Sequence, residues 1–326
     1  MLTLEKQIFD IDKEEFNKTC LEVFHFQYQN IAIYQKFVDA LGIKKDDIQH
    51  YMDIPFLPIE FFKQHALIKN ENPVDIVFSS SGTTGNLTSK HFVKEVKLYE
   101  QSYQLAFENF YGNANDFCII ALLPNYLERE GSSLIYMIED LINLSRHPES
   151  GFLLYEHQLL FEKLEKLKSA KQKTILIGVT YALLDFIEKY KIDFPELIVM
   201  ETGGMKGKRK EMIREELHEI LCDGFGIKHI HSEYGMTELL SQAYSKGEGV
   251  FECPRWMKVL IRDVNDPLTL LENNKTGGIN VIDLANLYSC SFIATQDLGK
   301  KINENTFEVL GRFDNSDIRG CNLLVG

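Results

Sequence analysis

Ser79-Ser80-Ser81-Gly82-Thr83-Thr84-Gly85 carries the most specific chemistry in the sequence. Small hydroxyl residues and glycines in one loop present backbone N–H groups and hydroxyl donors to phosphate oxygens, with no side-chain bulk in the way. The segment is not a Walker A loop, because no Gly-Lys-Ser/Thr follows at the required spacing. On composition alone it fits an ordinary Ser/Thr/Gly turn as well as a phosphate loop. Three further segments weigh towards nucleotide chemistry. Glu201-Thr202-Gly203-Gly204-Met205 has two glycines that let backbone lie flat against a planar base. Ser232-Glu233-Tyr234-Gly235-Met236-Thr237-Glu238 offers an aromatic face, a hydroxyl and a carboxylate together, and Thr295-Gln296-Asp297-Leu298-Gly299 is another loop of this kind. His229 and His231 have metal-like spacing on one strand face, but no carboxylate or cysteine completes a set, so they read as structural.

Each of these segments follows a short aliphatic or β-branched run that must position it: Val74–Phe78, Leu197–Met200, His229–His231 and Ser291–Ala294. With Phe117–Leu123 and Thr174–Val179 they alternate with helical stretches, which predicts an α/β sheet whose strand ends gather the ligand. The clearest helix is Arg209–Leu221, with Met212, Ile213, Leu217, Ile220 and Leu221 on the face that packs on the sheet. The basic stretch Lys163–Lys173 reads as a solvated helix face rather than a phosphate patch. Residues 1–70 are expected to be a helical N-terminal part, 71–245 an α/β core, 246–314 a small β-rich subdomain and 315–326 a tail carrying Cys321. The turn signal Asn273-Asn274-Lys275-Thr276-Gly277-Gly278 supports short strands in the third of these.

With 326 residues and 44% hydrophobic content the chain can fill a sizeable core. A formal charge of −13 argues against a nucleic-acid or anionic-membrane surface as partner. No apolar run approaches the roughly 20 residues that span a bilayer, and the first residues lack a signal-peptide pattern, so a cytoplasmic location is expected. Six cysteines are scattered without a CxxC pair, which suits reduced thiols.

The serine-threonine-glycine loop, Tyr234-Gly235-Met236-Thr237-Glu238, Thr295-Gln296-Asp297-Leu298-Gly299 and Gly311-Arg312-Phe313-Asp314 together resemble the ordered motifs of adenylate-forming enzymes. That superfamily includes acyl-CoA synthetases, peptide-synthetase adenylation domains and luciferases. The resemblance implies an α/β fold like its N-terminal domain, made of α/β subdomains plus a small β subdomain, with the mobile C-terminal domain absent. It implies ATP and Mg²⁺ as cofactors, with Ser80, Ser81, Thr83 and Thr84 on the ATP phosphates and Gly203 and Gly204 flanking the adenine. It further implies Tyr234 at the base, Thr237 at the α-phosphate, Glu238 on Mg²⁺, and Asp297 on the ribose hydroxyls with Arg312 close by. Two departures stand out: Asn86-Leu87-Thr88-Ser89-Lys90 replaces the usual Gly-x-Pro-Lys continuation, and Gln296 replaces a customary glycine.

Only Asn315–Gly326 follow Asp314, so the catalytic lysine of the superfamily's mobile domain has no counterpart here; Lys206 is one candidate to replace it. This ending, the Ile54–Lys63 stretch and Leu123-Pro124-Asn125-Tyr126-Leu127-Glu128 are similar to the acyl-protein synthetase of the bacterial bioluminescence fatty-acid reductase complex. Members of that branch activate a fatty acid as its adenylate and load it onto a cysteine near their own C-terminus, which here corresponds to Cys321. An acyl-CoA reductase-like partner protein would suit that family. Arg319 beside Cys321 favours a nucleophilic thiolate, while a strand cysteine that simply packs remains the plain reading of the same residue. Two other functions stay open: an acyl- or aryl-CoA ligase resembling phenylacetate–CoA ligases, and a non-catalytic subunit that binds nucleotide or acyl groups. The apolar stretches Ser132–Ile142 and Gly178–Phe186 could line an acyl pocket or merely pack.

Overall fold

The computed structural model describes residues 3–68, 73–80, 88–124, 131–203 and 212–313. The chain divides into two compact units, one made of Val74–Pro254 and the other of Met1–Pro73 with Arg255–Gly326.

In the unit Val74–Pro254, the antiparallel pair β2 (Ile76–Ser79) and β3 (Lys90–Val93) precedes a larger sheet. That sheet runs in the order β5 (Gly151–Leu153), β4 (Cys118–Leu122), β6 (Thr174–Val179), β7 (Ile198–Thr202) and β8 (His231–Tyr234), all parallel. The short strands β9 (Ala243–Ser245) and β10 (Val250–Glu252) continue it in antiparallel sense. Every residue of β4 and β6 is buried, as a parallel sheet covered on both faces requires. The cover comes from helices Val96–Tyr111, Ser133–Ser145, His157–Ser169, Thr180–Ile187 and Arg214–Phe225.

Local chemistry sets the ends of these helices. Ser132 caps Ser133–Ser145 by accepting the Ile135 N–H at 3.3 Å. Gly226 ends Arg214–Phe225 at φ +64, where a Cβ would come within 2.8 Å of the Asp193 Cα. The described helix begins at Arg214 rather than at Arg209, and this corrects the expected buried face. Leu217, Leu221 and Phe225 are buried at successive i, i+4 steps, while Ile213 precedes the helix and is 68% exposed. Lys163 and Lys166 pair with Glu149 on the outer face of His157–Ser169, with Leu160, Leu164 and Leu167 turned inward.

In the other unit, helices Leu4–Gln7, Phe16–Asn30, Ala32–Ala40 and Phe61–Gln64 accompany an antiparallel sheet. Its order is β11 (Met257–Arg262), β12 (Thr276–Asp283), β13 (Phe292–Lys301) and β14 (Thr306–Arg312), and β1 (Leu57–Pro58) lies parallel to the start of β13. Buried Gln27 ties Phe16–Asn30 to the approach of β13, donating to the Asn286 and Leu287 carbonyls and accepting the Ser291 N–H at 3.0 Å. Phe292, the first residue of β13, stacks on Tyr34 with ring centroids 6.2 Å apart. Two expected loops are strand. Thr276–Gly278 already belong to β12, and Thr295–Gly299 lie inside β13, because pairing with neighbouring strands overrides the turn-like composition.

Candidate functional site

The unit Val74–Pro254 places several sequence-selected segments at strand ends. At the end of β2, the Ser79 N–H donates to the Gly131 carbonyl at 2.8 Å, and the Ser80 hydroxyl accepts the Ser89 N–H at 2.9 Å. Ser80 is thus fixed at the root of the serine-threonine-glycine segment, of which Ser81, Thr83 and Thr84 lie outside the described residues. Lys90 pairs with Ser79 in the β2–β3 ladder, and its side chain is exposed.

At the end of β7, Gly203 adopts φ +68, a left-handed conformation that suits glycine. Its carbonyl accepts the Thr180 hydroxyl at 2.9 Å. The same hydroxyl lies 3.0 Å from Glu201, whose carboxylate also accepts Ser232 at 3.0 Å and meets His218 Nε2 at 3.2 Å. Burial works against ionisation of Glu201, but His218, Arg214 and Thr180 outweigh it and hold the carboxyl below the ordinary carboxylate range. Glu201 therefore joins β7, β8 and two helices at the base of the Gly203 turn. Gly204 lies outside the described residues.

The strand expected at His229–His231 is instead β8, His231–Tyr234, so the first three residues of the Ser232–Glu238 segment are strand and the rest follow its end. The alternation of buried Ser232 and Tyr234 with more open His231 and Glu233 sets that register. His231 meets the Tyr111 hydroxyl at 3.2 Å, a structural contact. Tyr234 is buried and packs edge-on to Phe251, with centroids 5.9 Å apart. The Thr237 carbonyl lies 2.9 Å from His91 Nδ1. A carbonyl can only accept, so Nδ1 carries the proton, and burial pushes the His91 pKa down to about 4, keeping the ring neutral at pH 7. Glu238, next in sequence, is 6% exposed.

In the other unit, Asp297 sits within β13 where the pairing with β12 is irregular and next to a register shift against β14. It is 6% exposed and accepts the Arg312 Nε–H at 3.1 Å across the β13–β14 ladder. The Asp297 N–H donates to the Thr295 hydroxyl at 3.1 Å. Buried Arg262 holds this irregular stretch by donating to the Ile279 and Thr295 carbonyls and to Asn280 Oδ1. Its guanidinium lies 5.5 Å from the Phe313 ring centroid. Gln296, in place of the customary glycine, donates to Glu60 through its side chain and accepts the Phe313 N–H at 2.8 Å through its carbonyl.

Cys321 lies outside the described residues. Cys20, Cys118 and Cys290 are buried, and burial pushes the Cys290 thiol up to about 12. Sequence reasoning did not single out His91, Glu201 or Arg262. Glu201 carries a faint signal, an acid closing the apolar run Leu197–Met200, but the partners of all three come from distant segments.

Solved structures similar to this one include a 2-hydroxyisobutyryl-CoA ligase and MatB. The first, crystallised in an open conformation with 2-HIB-AMP and CoA, matches at a TM-score of 0.67 and 11% identity, over 92% of this chain and 70% of that one. The same ligase in its thioesterification state gives 0.68 and 11%, over 95% and 71%. ATP-bound MatB from Rhodopseudomonas palustris gives 0.54 and 16%, over 72% of this chain and 47% of that one. The chain thus spans about half the length of MatB. At these identities the likeness establishes the fold. No significant match is found among curated proteins. The sequence model of the family described as acyl-protein synthetase, LuxE, matches residues 6–326. With nearly its whole length so matched, the chain belongs to the LuxE acyl-protein synthetase family and is an ATP-dependent, AMP-forming ligase.

Proposed function

We propose that the chain activates a carboxylic acid with a fatty chain as its acyl-adenylate and then carries the acyl group as a thioester on Cys321. In the first half-reaction an oxygen of the acid attacks the α-phosphorus of ATP, and pyrophosphate leaves. In the second, the Cys321 thiol loses its proton and its sulfur attacks the acyl carbon, releasing AMP. The mixed anhydride makes this transfer favourable without further energy input.

The family match through residue 326, which includes Cys321, is the observation that carries this reading. The site residues take the roles their chemistry suits. Ser80, Ser81, Thr83 and Thr84 donate to the ATP phosphates, and Gly203 and Gly204 give the adenine a flat backbone surface with Tyr234 beside it. Thr237 donates to the α-phosphate, and Asp297 accepts from the ribose hydroxyls, with Arg312 steadying its carboxylate. Glu238 is the residue suited to Mg²⁺, which is commonly held by one or two carboxylates together with nucleotide phosphates and water. Among the described residues no group of three or more His, Cys, Asp or Glu is placed to hold a metal ion. Bound at Glu238, Mg²⁺ would neutralise phosphate charge. Among the described residues no helix is long and apolar enough to cross a membrane. Its use of ATP suits a cytoplasmic enzyme, and an acyl-CoA reductase-like partner would suit a protein-bound thioester.

Acid-dependent exchange of labelled pyrophosphate into ATP tests the first half-reaction. Exchange should appear with at least one acid, Asp297→Ala should raise the KM for ATP about tenfold or more, and Thr237→Ala should lower kcat. ATP binding without exchange for any acid would leave a non-catalytic binding subunit. A second reading, transfer to coenzyme A, draws on the CoA-bound ligase among the structural matches. It predicts acyl-CoA as product and full activity in Cys321→Ala.

A further inference from the structure

Residues 89–111 connect the two segments of Val74–Pro254 that the proposed function sets on the ATP phosphates. At the root of the serine-threonine-glycine segment, the Ser80 N–H donates to the Ser89 carbonyl at 3.1 Å and the Ser80 hydroxyl accepts the Ser89 N–H at 2.9 Å. β3 then runs antiparallel to β2, with His91 opposite Phe78. Lys90 is exposed and His91 fully buried, so the alternation of the strand turns His91 inward, with Nδ1 2.9 Å from the Thr237 carbonyl. Further along, in the helix Val96–Tyr111, the Ser102 hydroxyl oxygen lies 3.0 Å from that of Ser241, and both residues are buried.

Thr237 and Glu238 are the central pair of a turn closed by the Leu239 N–H on the Met236 carbonyl at 3.0 Å. Such a turn uses the carbonyl of its first residue and the N–H of its last, so the carbonyl between the central pair gains nothing from the turn itself. That carbonyl belongs to the peptide joining Thr237 to Glu238, and fixing it constrains how both side chains leave the backbone. Ahead of the turn, Glu233 of β8 accepts the Thr202 hydroxyl of β7 at 2.6 Å, and burial pushes the Glu233 pKa up to about 7. Beyond the turn lies the Ser102–Ser241 contact. The turn is therefore anchored on both flanks, and His91 holds the central peptide itself.

We propose that His91 is a positioning residue for adenylation, locking the Thr237–Glu238 turn to the hairpin that carries the serine-threonine-glycine segment, so that the two meet the ATP phosphates in one fixed arrangement. The proposal rests on the roles assigned to those segments above and deepens them. Attack on the α-phosphorus requires the phosphates to be held in register, and a misplacement of about 1 Å can cost about 100-fold in rate. Being fully buried, the ring acts through the Thr237 carbonyl rather than on the nucleotide.

The test measures acid-dependent exchange of labelled pyrophosphate into ATP by the full chain, in wild type, His91→Asn and His91→Leu. Asn and Leu share one branched skeleton and leave the same space at this position, but Asn Nδ2 keeps a donor where His Nδ1 has it, two bonds from Cβ. His91→Leu should lower kcat by about tenfold or more, whereas His91→Asn should stay within about threefold of wild type. A side chain that merely filled space would be replaced no better by Asn than by Leu, because Asn buries more polar atoms. Denaturant melts should accordingly show His91→Asn no more stable than His91→Leu, the reverse of their order in activity. Combining His91→Leu with Thr237→Ala should cost less than the product of the two separate losses, since one acts through the other. Should His91→Leu not fold, His91→Gln, whose amide lies one bond further out, takes its place with the same expectation. Equal kcat in the Asn and Leu variants, or losses that multiply in full, would overturn the role of His91 while leaving acid activation standing. No exchange by wild type with any acid would overturn acid activation itself, and the proposal with it.

Discussion

Glu238 and Asp297 are equally buried, at 6% exposure each, yet their surroundings hold them in different ways. Glu238 lies past the end of a parallel strand, and the carbonyl of its neighbour Thr237 is tethered by His91, 146 residues away in sequence. Asp297 lies inside an antiparallel strand, where an irregular register turns its carboxylate towards Arg312, 15 residues away on the next strand. A carboxylate on a loop depends on distant tethers, whereas one within a ladder is placed by local pairing. Each unit also has a buried ionic anchor, and the two differ in sign: the anion Glu201 at the base of the Gly203 turn and the cation Arg262 beside the Asp297 stretch.

That contrast can be broken by substitution. The largest effect is expected for Arg262→Met, which leaves the Ile279 and Thr295 carbonyls and Asn280 Oδ1 without this donor. The loss should be about 3–4 kcal/mol in denaturant melts. An effect below about 1 kcal/mol would mean that strand pairing alone holds the Asp297 stretch.

The anchors of the parallel sheet should separate by pH. Glu233 has a raised native pKa, so the native state holds more protons than the unfolded chain between about 4.5 and about 7, and stability falls as pH rises through that window. Glu233→Gln removes the slope and should be more stable than wild type at pH 8 by on the order of 3 kcal/mol, with the difference vanishing near pH 4.5. Glu201 runs the other way. Its native pKa is lowered, so its contribution is full above the ordinary value of 4.5 and is lost as pH falls through the native pKa. Glu201→Gln should therefore cost about 2 kcal/mol at neutral pH and less in acid. Parallel pH profiles for the two variants would refute the assignment of opposite protonation states. The smallest effect is expected for Arg312→Ala, whose side chain is 74% exposed. Its stability should change by under about 1 kcal/mol, so any larger defect should appear in the KM for ATP.

Much of the sheet was legible because burial on both faces writes itself as unbroken apolar runs. Thr174–Val179 has the same limits in sequence and structure, and Phe117–Leu123 shrinks only to Cys118–Leu122. Reading failed where composition and pairing disagree. Thr295–Gly299 has the Gln, Asp and Gly of a loop but pairs on both sides as β13, and Ser232–Tyr234 was read as loop when its alternation belongs to β8. The residues Thr237, Glu238, Asp297 and Arg312 were named only through the resemblance of their short segments to adenylate-forming motifs, which is a local property of the sequence. His91, Glu201 and Arg262 could not be picked out, because what they do depends on partners that only the folded chain brings near.

The claim that an acid is activated and then held on Cys321 is tested most directly by intact-protein mass spectrometry. Wild type and Cys321→Ala would each be incubated with MgATP and a panel of carboxylic acids. We expect wild type alone to gain the mass of one acyl group, in an adduct that hydroxylamine removes. Pyrophosphate release with no mass gain in wild type, or an equal gain in Cys321→Ala, would contradict it.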